Sequence, residues 1–386
     1  VNSVRVSRRG EERIESGHPW VFAGDIADRG ASQPGEAVRV QNFKGRCLGV
    51  AHYSSTSQIT LRLLSREDEP ADRAFFLRRL RAALEHRLRI APDSDSYRLV
   101  HAEGDRLPGL IVDRYGAYLV LQMLDQGMEA ARATLLDCLQ ELVSPLGVIA
   151  RNDVPVRKLE SLPLEPEVLA GEIAERVPVR LNGLTLHADL RRGQKTGVYL
   201  DQRENYVAAA RWGRGRALDC FTSTGGFALH LAGRCESVEA VDSSADALLT
   251  AEGNCQSNSI ANVSFREANA FDYLSGLSSA RRHYDTIVLD PPAFAKSRSN
   301  LDAAMRGYKE INFKALKVLA PGGTLVTCSC SHHVSEAALL DVVAQAALDT
   351  RRTLRVLERR TQAQDHPILL TVPETLYLKC VILEAL

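Results

Sequence analysis

The chain contains no run of about 18 apolar residues, so no segment reads as a membrane-spanning helix. Its opening stretch, "VNSVRVSRRGEERIE", holds no apolar core of secretory-signal length, and a cytoplasmic location is expected. Net charge is missing as well: 48 Lys and Arg balance 48 Asp and Glu, so bulk charge does not advertise a polyanionic partner. Internal repeats and low-complexity tracts are absent. The eight cysteines, at 47, 138, 220, 235, 255, 328, 330 and 380, are spread along 386 residues, unlike the dense framework of a small secreted domain. They are expected to be reduced thiols. The dinucleotide pattern G-x-G-x-x-G does not occur.

What is present is the composition of an ordinary globular protein, 45% hydrophobic and 25% charged, in a chain long enough for two or three domains. Charge is uneven locally. Residues 1–66 carry 10 Lys and Arg against 6 Asp and Glu, and residues 281–317 carry 8 against 4, which points weakly toward nucleic acid.

The first 66 residues read as short strands, "AVRVQNF", "CLGVAHY" and "QITLRLL", of a small antiparallel β-barrel. After the acidic linker "REDEPADR" a helix is expected from Asp72, with Leu77, Leu80, Leu84 and Leu88 on its buried face. Two strands around the Arg114-Tyr115-Gly116 turn, a helix near 129–143 and the strand "LGVIAR" then make an α+β unit. The hairpin "VRLNGLTLHADL", with its Asn182-Gly183 turn signal, closes that unit. From about residue 204, "RALDCF", "SVEAVD", "VSFREA", "YDTIVLD" and "GTLVTCS" alternate with helix-length stretches, the pattern of a parallel, doubly wound α/β sheet. The expected division is 1–68, 72–190 and 191–386.

Ligands of such sheets sit at the carboxyl ends of the strands. The first strand ends at Asp219, and Gly225-Gly226 opens the next helix, where a ligand can approach the backbone. The second ends at Asp242, placed to accept hydrogen bonds from a ribose. The third ends at Asn269, which either bonds an adenine amine or caps the next helix. The fourth ends in "LDPPAF", where two prolines stiffen the loop after Asp290. The fifth runs into "TCSCSHH". Alternation along a strand puts Cys328 and Cys330 on one face, with Cys330 nearer the edge. The stretch also admits a zinc site from both cysteines, His332 and His333, although the spacing is not C-x₂₋₄-C, or simply two buried small hydrophobes.

The series "LDCFTSTGGF", "EAVDSS", "VLDPPAFAKSR" and "LAPGGTLVTCSCSHH" resembles the class I methyltransferases that use S-adenosylmethionine. "GHPWVFAGDI" and "GQKTGVYLDQREN" are similar to one branch, the bacterial large-subunit ribosomal RNA cytosine-5 methyltransferases with an N-terminal PUA domain. The resemblance spans nearly the whole chain. It implies a PUA-like RNA-binding barrel, a small central α+β domain and a C-terminal Rossmann-like domain. It further implies S-adenosylmethionine as methyl donor and large-subunit rRNA, single-stranded or loosely paired at the target, as partner.

By the same resemblance, Asp219 and the Gly225-Gly226 turn lie beside the methionine part of the cofactor, and Asp242 takes the ribose. Asn269 stands where the family usually has Asp. Thr222, Ser243, Ala270, Lys195 and Asp201 are assigned to the same pocket. Asp290 corresponds to the catalytic-loop acid and Cys330 to the nucleophile. Pro291, Phe294, Lys296, Arg298 and Arg306 are assigned to the RNA, while Trp20 and Phe22 are either base-stacking residues or barrel core. The chemistry requires such a pair: C5 of cytosine is a poor nucleophile until a thiolate adds at C6, and an acid on the base edge stabilises the adduct. His332, His333 and the helix beginning near Ser335 are the candidates for lowering the thiol pKa. Two rival readings keep parts of this frame: methylation of a base nitrogen without a thiol, and a non-catalytic RNA-binding assembly factor. Homodimer formation is left open.

Overall fold

The computed structural model describes residues 2–191, 198–295 and 300–386. Lys195, Lys296 and Arg298 therefore lie outside the described residues. Contacts divide the chain into two units, Val1–Gly183 with Ala188–Leu200 and Gln364–Thr375, and Leu184–His187 with Asp201–Ala363 and Leu376–Leu386.

In the first unit, strands Ser3–Val6, Trp20–Phe22, Ile26–Asp28, Ala37–Gln41, Cys47–Tyr53 and Ile59–Ser65 form one six-stranded sheet. Alternation sends Val4 and Val6, and Val38 and Val40, into a core with Ile14, Val21 and Leu61. The sheet is not purely antiparallel as expected, because Ser3–Val6 and Ala37–Gln41 run parallel. Beside it in sequence lies a five-stranded sheet of Ser96–His101, Leu110–Tyr115, Tyr118–Met123, Gly147–Arg151 and Pro166–Gly171.

The helix Arg73–Ile90 is capped by Asp72, whose Oδ1 accepts from the Phe75 N–H at 3.0 Å. Its buried face differs from the expected one. Phe75, Phe76, Leu80, Ala83 and Arg87 point inward, whereas Leu77 and Leu84 are only partly covered and Leu88 is 59% exposed. Arg87 reaches full burial by forming a bidentate pair with Asp105 and donating to the Arg98 carbonyl at 2.7 Å and the Asp365 carbonyl at 2.8 Å. The charge of Arg87 is what hides the true stripe from a hydrophobicity pattern.

The second unit is built on a seven-stranded sheet of β1 (Arg216–Cys220), β2 (Ser237–Asp242), β3 (Val263–Glu267), β4 (Tyr284–Leu289), β5 (Leu319–Ser329), β6 (Leu354–Arg360) and β7 (Lys379–Ala385). Their order is β3-β2-β1-β4-β5-β7-β6. The first five are parallel, as their short apolar runs between helices require. The sheet is nonetheless mixed, because β7 inserts antiparallel between β5 and β6. Helices α1 (Arg203–Trp212), α2 (Gly226–Ala232), α3 (Ala245–Ser257), α4 (Ala270–Ser279), α5 (Leu301–Val318) and α6 (Glu336–Asp349) make up the helical layers. On one side α5 packs against α4 and α6 through Leu274, Tyr308, Ile311, Leu339 and Val343, over Leu218, Ile287, Leu325 and Val381 of the sheet. Strand order reverses between β1 and β4, the switch point where ligands of open α/β sheets bind.

Candidate functional site

At the switch point β1 leaves the sheet through a loop that the chain holds in costly conformations. Phe221 and Ser223 both have positive φ, +65° and +49°, and Gly225 has φ +89°. Left-handed backbone is unfavourable for side-chain-bearing residues, so such a loop persists only where its surroundings over-determine it. Three bonds do so: Thr222 N–H to the Val241 carbonyl at 3.0 Å, Ser223 N–H to Asp242 Oδ2 at 2.8 Å, and Asn254 Nδ2 to the Thr224 carbonyl at 3.0 Å. Asn254 is fully buried on α3 and also accepts from the His187 N–H at 2.9 Å. It was not among the expected site residues, since a mid-helix Asn carries no signal of its loop contact. At Gly226 a Cβ would sit 2.4 Å from the Tyr206 ring, so any larger residue at the start of α2 would have to push that ring aside.

Asp219 is completely buried. Its Oδ2 accepts from Thr222 Oγ1 at 2.6 Å and from the Ala228 N–H at 3.0 Å, while Oδ1 has no hydrogen-bond partner among the described residues. Burial first, then the charges of Asp290 and Asp242, raise its carboxyl to about 7 against the lowering effect of those two bonds. Asp242 accepts from Ser223 through one oxygen and from the Ser244 N–H, at 2.9 Å, through the other. Each oxygen keeps a second lone pair for a further donor. Ser243 beside it is exposed. Asn269 is the cap of α4, its Oδ1 accepting from Phe271 N–H at 2.9 Å and Asp272 N–H at 3.4 Å, and Ala270 is buried behind it. Asp201 is buried and accepts from the Tyr377 hydroxyl at 2.8 Å.

The register Cys220↔Leu289 and Leu289↔Thr327 brings the ends of β1, β4 and β5 side by side. Asp290 follows directly, its N–H 3.5 Å from the Cys220 carbonyl. Cys328 is fully buried opposite Cys380 on β7, and burial together with Cys380 holds its thiol well above the ordinary range. Cys330 lies just past the end of β5, half-buried, with Sγ 4.0 Å from the Pro291 carbonyl. Among the described residues, every other cysteine of this unit is buried. No group of three or more His, Cys, Asp or Glu side chains among the described residues is arranged to hold a metal ion. His332 and His333 are both exposed, their rings 5.7 Å apart.

Phe294 is half-buried and packs at 4.7 Å, tilted by 46°, against the buried Tyr308, whose hydroxyl bonds Ser329 Oγ and Ser331 Oγ, each at 2.9 Å. Phe271 continues this aromatic file, 6.1 Å from Phe294 and 6.4 Å from Phe221. Arg306 is exposed on α5. A residue that strand-end reasoning did not reach, Lys379 at the start of β7, is buried and donates to the Ser331 carbonyl at 2.7 Å and the Tyr377 carbonyl at 2.8 Å. In the first unit Trp20 donates to Glu103 at 2.8 Å and Phe22 lies under the Arg13 guanidinium at 4.7 Å. The aromatic ring that stands out there is Phe43, 62% exposed.

Among the described residues no helix is long and apolar enough to cross a membrane. Two family models match the chain: a PUA-like domain over residues 4–66 and an S-adenosylmethionine-dependent methyltransferase over residues 159–374. The chain is 40% identical to the ribosomal RNA large subunit methyltransferase I of Erwinia tasmaniensis, with 96% of each chain covered. It is 39% identical to the protein of the same name from Salmonella arizonae, covering 97% of this chain and 95% of that one. Its fold is shared over the full length of both chains by the methyltransferase SMU.776 complexed with SAH, with TM-score 0.85 at 18% identity. A SAM-dependent methyltransferase from Streptococcus mutans gives TM-score 0.83, again at 18% identity and full coverage. A carboxylate-lined switch point under a glycine turn, joined to a PUA-like sheet and matched end to end by these relatives, leads to one conclusion: the chain belongs to the family of PUA-bearing, S-adenosylmethionine-dependent methyltransferases that includes the ribosomal RNA large subunit methyltransferases I.

Proposed function

We propose that this protein methylates carbon 5 of a cytosine in large-subunit ribosomal RNA through a covalent adduct with Cys330. The observation that carries the reading is the pairing of Asp290-Pro291 with Cys330 on neighbouring strand ends, with Cys330 half-buried while the other described cysteines of the unit are buried. That ribosomal RNA is the methylated class rests on full-length relatives named for it. The division of labour is RNA capture by residues 1–68, support by 72–190 and chemistry by 191–386.

The switch point fits the cofactor. Asp219 offers a buried Oδ1, unpartnered among the described residues, to a cationic donor, the Asp242 carboxylate retains lone pairs for ribose hydroxyls, and the Gly225-Gly226 turn, held tight against Leu229 and Tyr206, starts α2 beside them. Thr222, Ser243, Asn269, Ala270 and Asp201 complete the assignment, with Asn269 reading the adenine through the amide atoms that its cap leaves available. When bound, S-adenosylmethionine supplies an electrophilic methyl group. The Cys330 thiolate adds to C6 of the cytosine, forming the S–C6 bond and moving electron density onto C5. Asp290 hydrogen-bonds the N3 or amine edge and stabilises the protonated ring. Once C5 is methylated, its proton is lost, the C6–S bond breaks and the thiolate is regenerated. The target base must leave its stack to reach Cys330, and the half-buried Phe294, backed by Tyr308, offers an aromatic surface for it. Pro291, Phe294 and Arg306 are the described residues assigned to the RNA.

The test is transfer of labelled methyl groups to unmodified large-subunit rRNA, followed by digestion and nucleoside identification, for wild type and Cys330→Ala. The proposal expects 5-methylcytidine from wild type and none from the variant. A different methylated nucleoside, or activity that survives the substitution, would instead favour methylation of a base nitrogen by the Asp290-Pro291-Pro292 loop.

A further inference from the structure

A buried ammonium with no anionic partner is costly, because burial disfavours the charged form unless a counter-charge or full hydrogen bonding compensates. Lys379 is in that position. It is 5% exposed, donates to two neutral carbonyls, Ser331 and Tyr377, and forms no ion pair with any described carboxylate. An apolar side chain would occupy the start of β7 at lower cost, so the charge requires a reason. One lies next to it in the chain: the Ser331 carbonyl that holds the ammonium belongs to the residue immediately after Cys330.

We propose that Lys379 is a positioning residue that keeps Cys330 as a thiolate, its ammonium serving as the fixed counter-charge of the nucleophile. This rests on the reading of Cys330 as the nucleophile. The two charges support each other: burial pulls the lysine down to about 8, and Cys330 is the group that pushes it back up. Lys379 is therefore mostly protonated at neutral pH. On ionisation the thiol proton leaves to solvent, the lysine keeps its own, and the ammonium stays in place while the S–C6 bond forms and breaks. Among the described residues, the other titratable groups around this strand end are not buried cations. Asp290 is an acid, Tyr308 is a buried phenol bonded to Ser329 and Ser331, and Cys328 and Cys380 are buried thiols. Tyr377 is committed to Asp201, and His332 is exposed. The β5–β7 pairing, Ser329↔Lys379, is what delivers a cation to this point.

The experiment is the pH dependence of Cys330 alkylation by iodoacetamide, followed on the Cys330 peptide by mass spectrometry, in wild type, Lys379→Met and Lys379→Arg. In wild type the midpoint should fall below the ordinary thiol value of about 8.5. Lys379→Met should raise it by about one unit, cutting alkylation at pH 7 roughly tenfold, and Lys379→Arg should restore the low midpoint. A wild-type midpoint at or above about 8.5 overturns the inference without recourse to any variant. An unchanged midpoint in a Lys379→Met protein that still binds S-adenosylmethionine overturns it too. Methyl transfer by Cys330→Ala separates the two ideas. If that variant still makes 5-methylcytidine while the midpoint depends on Lys379, the nucleophile reading falls and the ion pair stands. If the variant is inactive and the midpoint ignores Lys379, the nucleophile reading stands and the role of the lysine falls.

Discussion

Replacing Asp219 by Asn removes one charge from the most buried carboxylate of the site and leaves its shape nearly intact. In wild type the folded carboxyl titrates near 7, above its ordinary 3.8, chiefly through burial. The sign follows directly. The folded state holds the proton more tightly than the unfolded chain, so the stability this group contributes is fully present below about pH 4 and is lost as pH rises through about 7. The whole loss is about 4 kcal/mol at most, from a factor of ten per pH unit over the interval. Asn should therefore raise the melting temperature of the cofactor-free protein at pH 8 and leave it nearly unchanged at pH 4. Cofactor binding should respond the opposite way. A cationic donor on Oδ1 requires the ionised carboxylate, so wild-type affinity for S-adenosylmethionine should rise about 20-fold between pH 5.5 and 7.5, tracking ionisation near 7. In Asp219→Asn that rise should vanish, with weaker binding at pH 7.5. Titration calorimetry across this range, with melting curves in parallel, measures both. A wild-type affinity flat with pH, or an Asn variant that binds as tightly as wild type at pH 7.5, would refute the reasoning.

Three further outcomes are expected. Gly226→Ala places a Cβ 2.4 Å from the Tyr206 ring and should lower stability by about 1–3 kcal/mol in urea unfolding, with weakened cofactor binding; unchanged values would show that Tyr206 yields freely. Arg87→Met strands the Asp105 carboxylate of a buried bidentate pair and should cost about 3–5 kcal/mol, whereas a loss below about 1 kcal/mol would mean that water reaches the site. Arg306→Ala should weaken RNA binding at every sequence tested and reduce the slope of log affinity against log salt by about 0.7, while an unchanged slope would remove Arg306 from the RNA surface.

The parts of this molecule that could be read from the chain are those where a local pattern and a local consequence coincide. Five short apolar runs separated by amphipathic stretches permit few arrangements, and the residues ending them, Asp219, Asp242, Asn269, Asp290 and Cys330, fall on one rim because parallel strands all finish there. Even the ambiguity at Asn269 was local: the side chain caps α4, and the capping pattern was visible. The buried face of Arg73–Ile90 was misread for the opposite reason. Its stripe includes Arg87, whose burial depends on Asp105 and Asp365, the latter 278 residues away.

Lys379 shows the same limit at the site itself. Read along the chain, "YLKCVILEAL" is a terminal strand with a lysine near its start, and a lysine is usually solvated. Its meaning arises only when β7 folds back antiparallel beside β5, a pairing between segments 50 residues apart that opposes the parallel pattern set by the first five strands. That pairing places Cys380 against Cys328, burying both, and leaves the ammonium of Lys379 bonded to the carbonyl just beyond Cys330. Exposed His332 and His333 were the natural candidates for activating the thiol because they are its neighbours in sequence. Proximity in sequence is a poor guide to electrostatics, since a solvated charge is screened more strongly than a buried one. Among the described residues, the buried cation bonded next to this cysteine is therefore one that only the long-range register could reveal.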